Sequence, residues 1–214
     1  MTRVVFALLA AALFCSVTQV QAGPITYSLT TTASGRLGAS SFTNALATVT
    51  LTGNTSNVIP VIGGPATGLL GNPGTTTVSI FGLGTATFTA PTGIFSTFND
   101  LTLFGGSVVS IGQFVGPLNN LTDITSILAE KDPVFFGYDL RGSLGPVSGT
   151  GGSSAPDPNA VFPTTLGILN FTAPPFGTGT TTFTATTVPE PGTVVLLGCG
   201  MAALVVRSRF KPRK

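Results

Sequence analysis

The 214-residue chain contains no histidine, so neither a Ser-His-Asp nor a Cys-His nucleophile can be assembled, and every imidazole-based metal site is excluded. The two cysteines, Cys15 and Cys199, lie toward opposite ends, leaving residues 23–187 without a thiolate or an internal disulfide. The acids of that stretch are Asp100, Asp123, Glu130, Asp132, Asp139 and Asp157, and its bases are Arg36, Lys131 and Arg141. A glycosidase needs two carboxylates across a cleft, but none of these acids stands in a recognisable motif, and most fall in predicted turns. Glu130, Lys131 and Asp132 form the densest charge cluster, which reads as a solvated turn ahead of Pro133. Asp157, flanked by Pro156 and Pro158, reads as a loop. No EF-hand or repeated Asp pattern announces calcium. The expectation is a non-enzyme with no catalytic residue, no cofactor and no metal.

The formal net charge of +2 conceals an uneven distribution. Arg3, Arg207, Arg209, Lys211, Arg213 and Lys214 lie outside residues 23–187, so the middle of the chain is weakly acidic. Nucleic acid is not a natural partner for such a surface. Sparse charge with abundant Thr, Ser, Gly and Asn predicts a neutral, hydrogen-bonding exterior. A stretch of this length suffices for one domain burying roughly 70% of its unfolded surface, and Phe, Val, Ile and Leu supply its core.

The elements that would carry these residues show period-2 alternation, the mark of half-buried strands. Ile25, Tyr27 and Leu29 alternate with Thr26, Ser28 and Thr30, and Ala45, Ala47, Val49 and Leu51 alternate with Leu46, Thr48, Thr50 and Thr52. Further strands are predicted at 76–81, 85–89, 107–111, 135–140, 166–172 and 180–186. Gly- and Pro-rich breaks at 60–74 and 145–158 read as exposed connections. Leu121, Ile124, Ile127 and Leu128 fit one face of a helix that Asn120 would cap, and equally a strand ending at Lys131-Asp132-Pro133. The predicted fold is all-β, an antiparallel β-sandwich, with a jelly-roll order as one form of it. Two Thr arrays, Thr85-Thr87-Thr89 and Thr180-Thr182-Thr184-Thr186, each line one face of a strand. Flat Thr ladders can organise water on an ice-binding surface, but two separate arrays on a twisted sheet fit that role poorly, and Thr is a good β former in any case. The sequons at Asn54, Asn120 and Asn170 are expected by chance in so Thr-rich a chain.

Residues 1–22 read as a secretory signal peptide. Arg3 is its positive start, 4–17 its apolar run, and Val20-Gln21-Ala22 its small-residue cleavage site before Gly23. Phe14 ahead of Cys15 argues against lipidation, and the short apolar run argues against an uncleaved anchor. Sec translocon and signal peptidase are the implied partners.

The last 27 residues, 188–214, combine Val188, Pro189, Glu190, Pro191 and Gly192 with an uncharged run at 193–206 and a basic tail at 207–214 that carries Arg207, Arg209, Lys211, Arg213 and Lys214. Two prolines hold the triplet extended, where a processing enzyme can grip it. The run would make a transmembrane helix of roughly 21 Å against a hydrocarbon core of about 30 Å, marginal as a lasting anchor. The basic tail would keep the C-terminus cytoplasmic. An ordinary stop-transfer helix is the alternative reading. In order, spacing and length this segment resembles the PEP-CTERM sorting signal of Gram-negative bacteria, a tail also catalogued as an ice-binding protein C-terminal domain. The resemblance implies recognition by an exosortase in the cytoplasmic membrane, processing near Pro-Glu-Pro, and delivery to the cell surface or exopolysaccharide matrix. The stretches ITYSL, SGRLGASSFTNALATVTLTGNTSNV, GLGTATFTAPTGIF, GYDLRGSLGPVSG and TTTFTATTVPEP are similar to a recurrent, uncharacterised ectodomain of such proteins. The expected role is structural or adhesive, a carbohydrate-binding module being the alternative, with exopolysaccharide as the expected contact.

Overall fold

A computed structural model describes residues 22–60, 70–100, 106–114, 124–153 and 161–188. The long alternating segments form β1 (Pro24–Leu37) and β2 (Ser40–Asn54), followed by β3 (Ile59–Pro60), β4 (Leu70–Ile80), β5 (Gly84–Thr87), β6 (Thr92–Asp100), β7 (Gly106–Phe114), β8 (Ile124–Lys131), β9 (Leu144–Gly152), β10 (Phe162–Thr164), β11 (Gly167–Ala173) and β12 (Gly179–Thr187). The all-β, antiparallel expectation holds, but the sandwich is corrected to a barrel. The order β1-β12-β9-β8-β7-β6-β4-β2 returns to its start because β1 pairs with β2 on one edge and with β12 on the other. A sandwich needs two sheets with free edges, whereas here each of these eight strands has a neighbour on both sides. Eight strands enclose an interior that side chains can fill.

A second, smaller circuit shares three of those strands. Beyond Ser34, β1 exchanges β12 for β11, whose partner β10 meets the continuation of β5 through the Phe88–Thr164 bridge. Thr89 N–H donates to the Pro163 carbonyl at 3.0 Å and Thr165 N–H to the Thr87 carbonyl at 2.8 Å. Phe42 packs edge-on against Phe171, and Phe88 against Phe162, inside this end of the molecule. One continuous apolar cluster fills both circuits.

Three sequence expectations change for identifiable reasons. The glycine-rich 145–158 region was predicted as an exposed connection, yet its first part is β9. A Cβ at Gly149 would stand 2.5 Å from the Lys131 carbonyl oxygen and one at Gly151 2.5 Å from that of Ala129, so these glycines admit close strand approach rather than mark a loop. Within the predicted break at 60–74, the end is likewise strand, the start of β4. The strand predicted at 135–140 is instead a tight turn at Pro133–Phe135 and a connection. For the helix-or-strand segment, Ile124 to Leu128 belong to β8; Asn120, Leu121 and Asp123 lie outside the described residues.

The β8–β9 connection packs its aromatic side chains into the barrel interior against Phe183. Asp132 Oδ1 accepts from the Val134 N–H at 2.8 Å and Pro133 opens the turn, driving Phe135 into the interior, fully buried and edge-on to Phe183 with ring centroids 5.3 Å apart. Tyr138 packs on the same ring. Leu140 adopts φ +60°, a conformation that L residues rarely take. Its carbonyl accepts from the Tyr27 hydroxyl at 2.5 Å, which in turn accepts from Asn72 Nδ2 at 2.8 Å. Burial raises the Tyr27 phenol well above its ordinary range, so the hydroxyl keeps its proton and remains a donor.

Outside, alternation turns hydroxyl residues of six strands to solvent. One cross-strand row runs Thr85, Ser79, Thr48, Thr30, Thr182 and Ser148, and the next runs Thr87, Thr77, Thr50, Ser28 and Thr184. All are exposed or half-buried. The two Thr arrays that seem separate in sequence therefore lie on one curved face.

Two outcomes are expected from this architecture. Tyr27→Phe leaves the Asn72 amide and Leu140 carbonyl without their shared partner and should lower the unfolding free energy by about 1–3 kcal/mol, measured by denaturant titration at neutral pH. Circular dichroism of residues 23–187 should be β-rich and identical with and without reductant; a change on reduction would contradict a fold held by its core alone.

Candidate functional site

The residues marked by sequence as processing points fall into two groups. Ala22, Gly23 and Val188 are described; Pro189, Glu190, Pro191, Gly192, the apolar run at 193–206 and the basic residues Arg207, Arg209, Lys211, Arg213 and Lys214 lie outside the described residues. Among the described residues no helix is long and apolar enough to cross a membrane.

The described junctions meet at one end of the barrel. Ile25 pairs with Thr187 in the β1–β12 ladder, and Val188 N–H donates to the Pro24 carbonyl at 3.0 Å. Gly23 is buried and clasped by Thr55 in both directions: its N–H donates to Thr55 Oγ1 at 2.9 Å, and its carbonyl accepts from Thr55 N–H at 3.0 Å. Ala22, by contrast, is exposed. The expected signal cleavage point, between Ala22 and Gly23, thus falls between an exposed residue and a buried one. An open cleft of about 510 Å³ adjoins it, lined by Ala22, Thr55, Ser56, Asp139 and Arg141. Asp139 accepts from the Arg141 N–H, and the Arg141 guanidinium donates to the Val58 carbonyl at 3.2 Å, so these two charges brace the β8–β9 connection against the chain that follows β2.

Among the described side chains the acids lie in two separate places. Asp139 lies at the terminal end, Asp123 and Asp157 lie outside the described residues, and Glu130 and Asp132 lie at the end of β8. Glu130 corrects the reading of that cluster as a solvated turn: it is fully buried on the inner face, opposite Val109 and Gly151. Neither carboxyl oxygen has a hydrogen-bond partner, and the inward-facing hydroxyls of Ser96 and Thr181 are likewise unpaired. Burial first, and then the neighbouring Asp132 carboxylate, push the Glu130 carboxyl up to about 8, while the Gly149 amide facing it pulls the other way without completing a hydrogen bond. At neutral pH Glu130 is a neutral acid. A shallow cleft of about 430 Å³ opens beside it, with Lys131, Asp132, Gly149 and Phe176 in its lining. Among the described residues no group of three or more Asp, Glu, Cys or His could hold a metal ion. Periodicity held a signal for the buried carboxyl, since Leu128 and Glu130 share parity, but the charge triplet masked it.

Because the folded pKa lies above the unfolded value, folded chains hold a proton between about pH 4.5 and 8 that unfolded chains have released. Stability should therefore fall as pH rises through that window, by up to ~1.4 kcal/mol per pH unit for one group, and level off above it. Glu130→Gln, which cannot ionise, should flatten the profile in denaturant titrations from pH 4 to 9; an unchanged slope would mean that the carboxyl ionises freely in the folded state.

Comparison with known proteins bears on the C-terminal end of the chain. No curated protein and no solved structure matches it. The PEP-CTERM protein-sorting motif is matched by residues 187–209, beginning at the last residue of β12. The Pro-Glu-Pro triplet, the uncharged run and the first two basic residues all fall inside the match. The chain thus carries a PEP-CTERM protein-sorting motif, the C-terminal signal by which an exported protein is handed to an exosortase.

Proposed function

We propose that this chain is a cell-surface protein that crosses the cytoplasmic membrane through the Sec translocon, loses residues 1–22 to signal peptidase, is processed at its tail by an exosortase, and then serves a structural or adhesive role at the surface or in the exopolysaccharide matrix. The observation that carries the reading is the sorting motif joined directly to the barrel, at the end where Gly23 also begins. A tail held in the membrane at 193–206 keeps that end nearest the bilayer and leaves the remaining surface to face outward. The five steps of chain from Val188 to Thr193 span at most about 18 Å, so the processing enzyme works close to the folded domain. The low charge and hydroxyl-rich exterior suit a protein that rests among hydrated polymers rather than one that turns over a substrate.

Three measurements test the sequence of events. Exported protein should begin at Gly23 on N-terminal sequencing; a start at Met1 would show an uncleaved anchor. Glu190→Ala should reduce surface release while membrane insertion persists, and removal of the basic residues at 207–214 should let the tail slip through the membrane. Mass spectrometry of released protein should find the tail missing in cells with a working exosortase. A mature chain that retains residues 194–214 would leave a plain membrane-anchored protein.

A further inference from the structure

The outer hydroxyl face ends on an apolar pair. Phe81, in the turn that joins β4 to β5, follows inward-facing Ile80 and therefore points outward. Its N–H donates to the Leu46 carbonyl at 2.9 Å, which places the two residues side by side at the margin of the rows. Phe81 is 81% exposed and Leu46 52%. An aromatic ring left this open forgoes the stabilisation of burial, about 1.5–3 kcal/mol for a side chain of its size. The rows beside it hold no Lys, Arg, Asp or Glu.

We propose that this face, with Phe81 at its margin, is a binding surface for a neutral polysaccharide chain. The inference rests on the reading of the protein as a surface or matrix component and assigns its contact. Neighbouring strands set hydroxyls ~4.8 Å apart across the face, and alternate residues set them ~6.8 Å apart along it. Within the rows the hydroxyls pair: Thr30 with Thr48 at 3.0 Å, Ser28 with Thr50 at 3.2 Å, and Thr182 with Ser148 at 2.8 Å. Each pair consumes one proton, so one O–H donor and several lone pairs still face outward. Cross-strand pairing and β-branching hold these groups in place before a ligand arrives, which lowers the ordering cost of binding. A neutral sugar polymer presents the complement, with hydroxyls that donate and accept and C–H faces that stack on an exposed ring. A polyanion would find no cation in the rows. A protein partner would require a larger desolvated apolar centre than one Phe and one Leu provide.

The test uses the full chain expressed in cells and recovered in detergent, whatever the state of its tail, run by affinity electrophoresis in gels cast with hydroxyethyl cellulose, amylopectin or alginate. Retardation by at least one of the two neutral polymers and not by alginate is the expected result. Phe81→Ala should weaken the retained interaction about fivefold or more, and the triple variant Thr30→Val, Thr48→Val and Thr182→Val, which keeps shape and β-branching but removes three hydroxyls, should weaken it further. Phe136→Ala, at another exposed ring (68%), should leave it unchanged. If circular dichroism shows the triple variant misfolded, Phe81→Ala decides the matter, since its side chain is almost wholly in solvent. No retardation by either neutral polymer, equal retardation by alginate, or unchanged retardation of Phe81→Ala would each overturn the assignment. Tail mass in the same preparations reads sorting separately: processed protein that does not bind sinks this surface alone, and unprocessed protein that binds sinks the exosortase reading alone.

Discussion

The architecture depends on one strand being paired along both edges. β1 runs antiparallel to β2 on one side and, on the other, to β12 for its first half and β11 for its second. This single strand ties the first residues of the domain to the last, because Ile25 lies opposite Thr187. It also divides the molecule into its larger and smaller circuits at the irregularity near Ser34 and Gly35. A free edge at β1 would expose a long row of unpaired N–H and C=O groups in an exported protein without internal disulfides. Closure satisfies those groups internally and removes a template for association with other chains.

The inside of the barrel carries its own tension. An interior of this size is filled by side chains, and here the filling includes Tyr27, Asn72 and the Leu140 carbonyl as a connected polar chain, and Glu130 as an unconnected one. The first arrangement anchors the β8–β9 connection to β1 and β4. The second works against stability whenever the carboxyl must ionise, because a buried charge without a partner loses its solvation with nothing in return. The two lie at different heights in the barrel, so the connected chain does not relieve the unconnected acid.

The ends and the flank of the barrel differ in character. The start and finish of the domain emerge together, and the matched sorting motif begins where β12 stops, so no linker separates the motif from the last strand. The flank formed by β5, β4, β2, β1 and β12, together with β9, is rich in hydroxyls; its two cross-strand rows hold no charged residue, Phe81 stands at their margin, and Arg36 lies exposed toward the end of β1. Charge, in contrast, gathers at the β8–β9 connection, where Asp132 caps a turn and Arg141 reaches the Val58 carbonyl.

Much of this could be read from local pattern. The absence of histidine and of ectodomain cysteine excludes whole classes of chemistry, alternation at Ile25-Tyr27-Leu29 and Ala47-Val49-Leu51 identifies strands and their buried faces, and the order of Pro-Glu-Pro, apolar run and basic tail identifies the sorting motif, because each is a property of neighbouring residues. Tertiary structure alone decided which edges join. Period 2 states which way a side chain points and is silent about the strand beside it, so a sandwich and a closed barrel look alike in sequence. The same silence hid the union of Thr85 and Thr87 with Thr182 and Thr184, residues about a hundred positions apart in the chain that become neighbours only through the β5-β4-β2-β1-β12 pairings. It hid the burial of Glu130 as well: a charge between Ala129 and Lys131 reads as surface until β7 and β9 close over it, and the glycines that let β9 approach look, in isolation, like a loop.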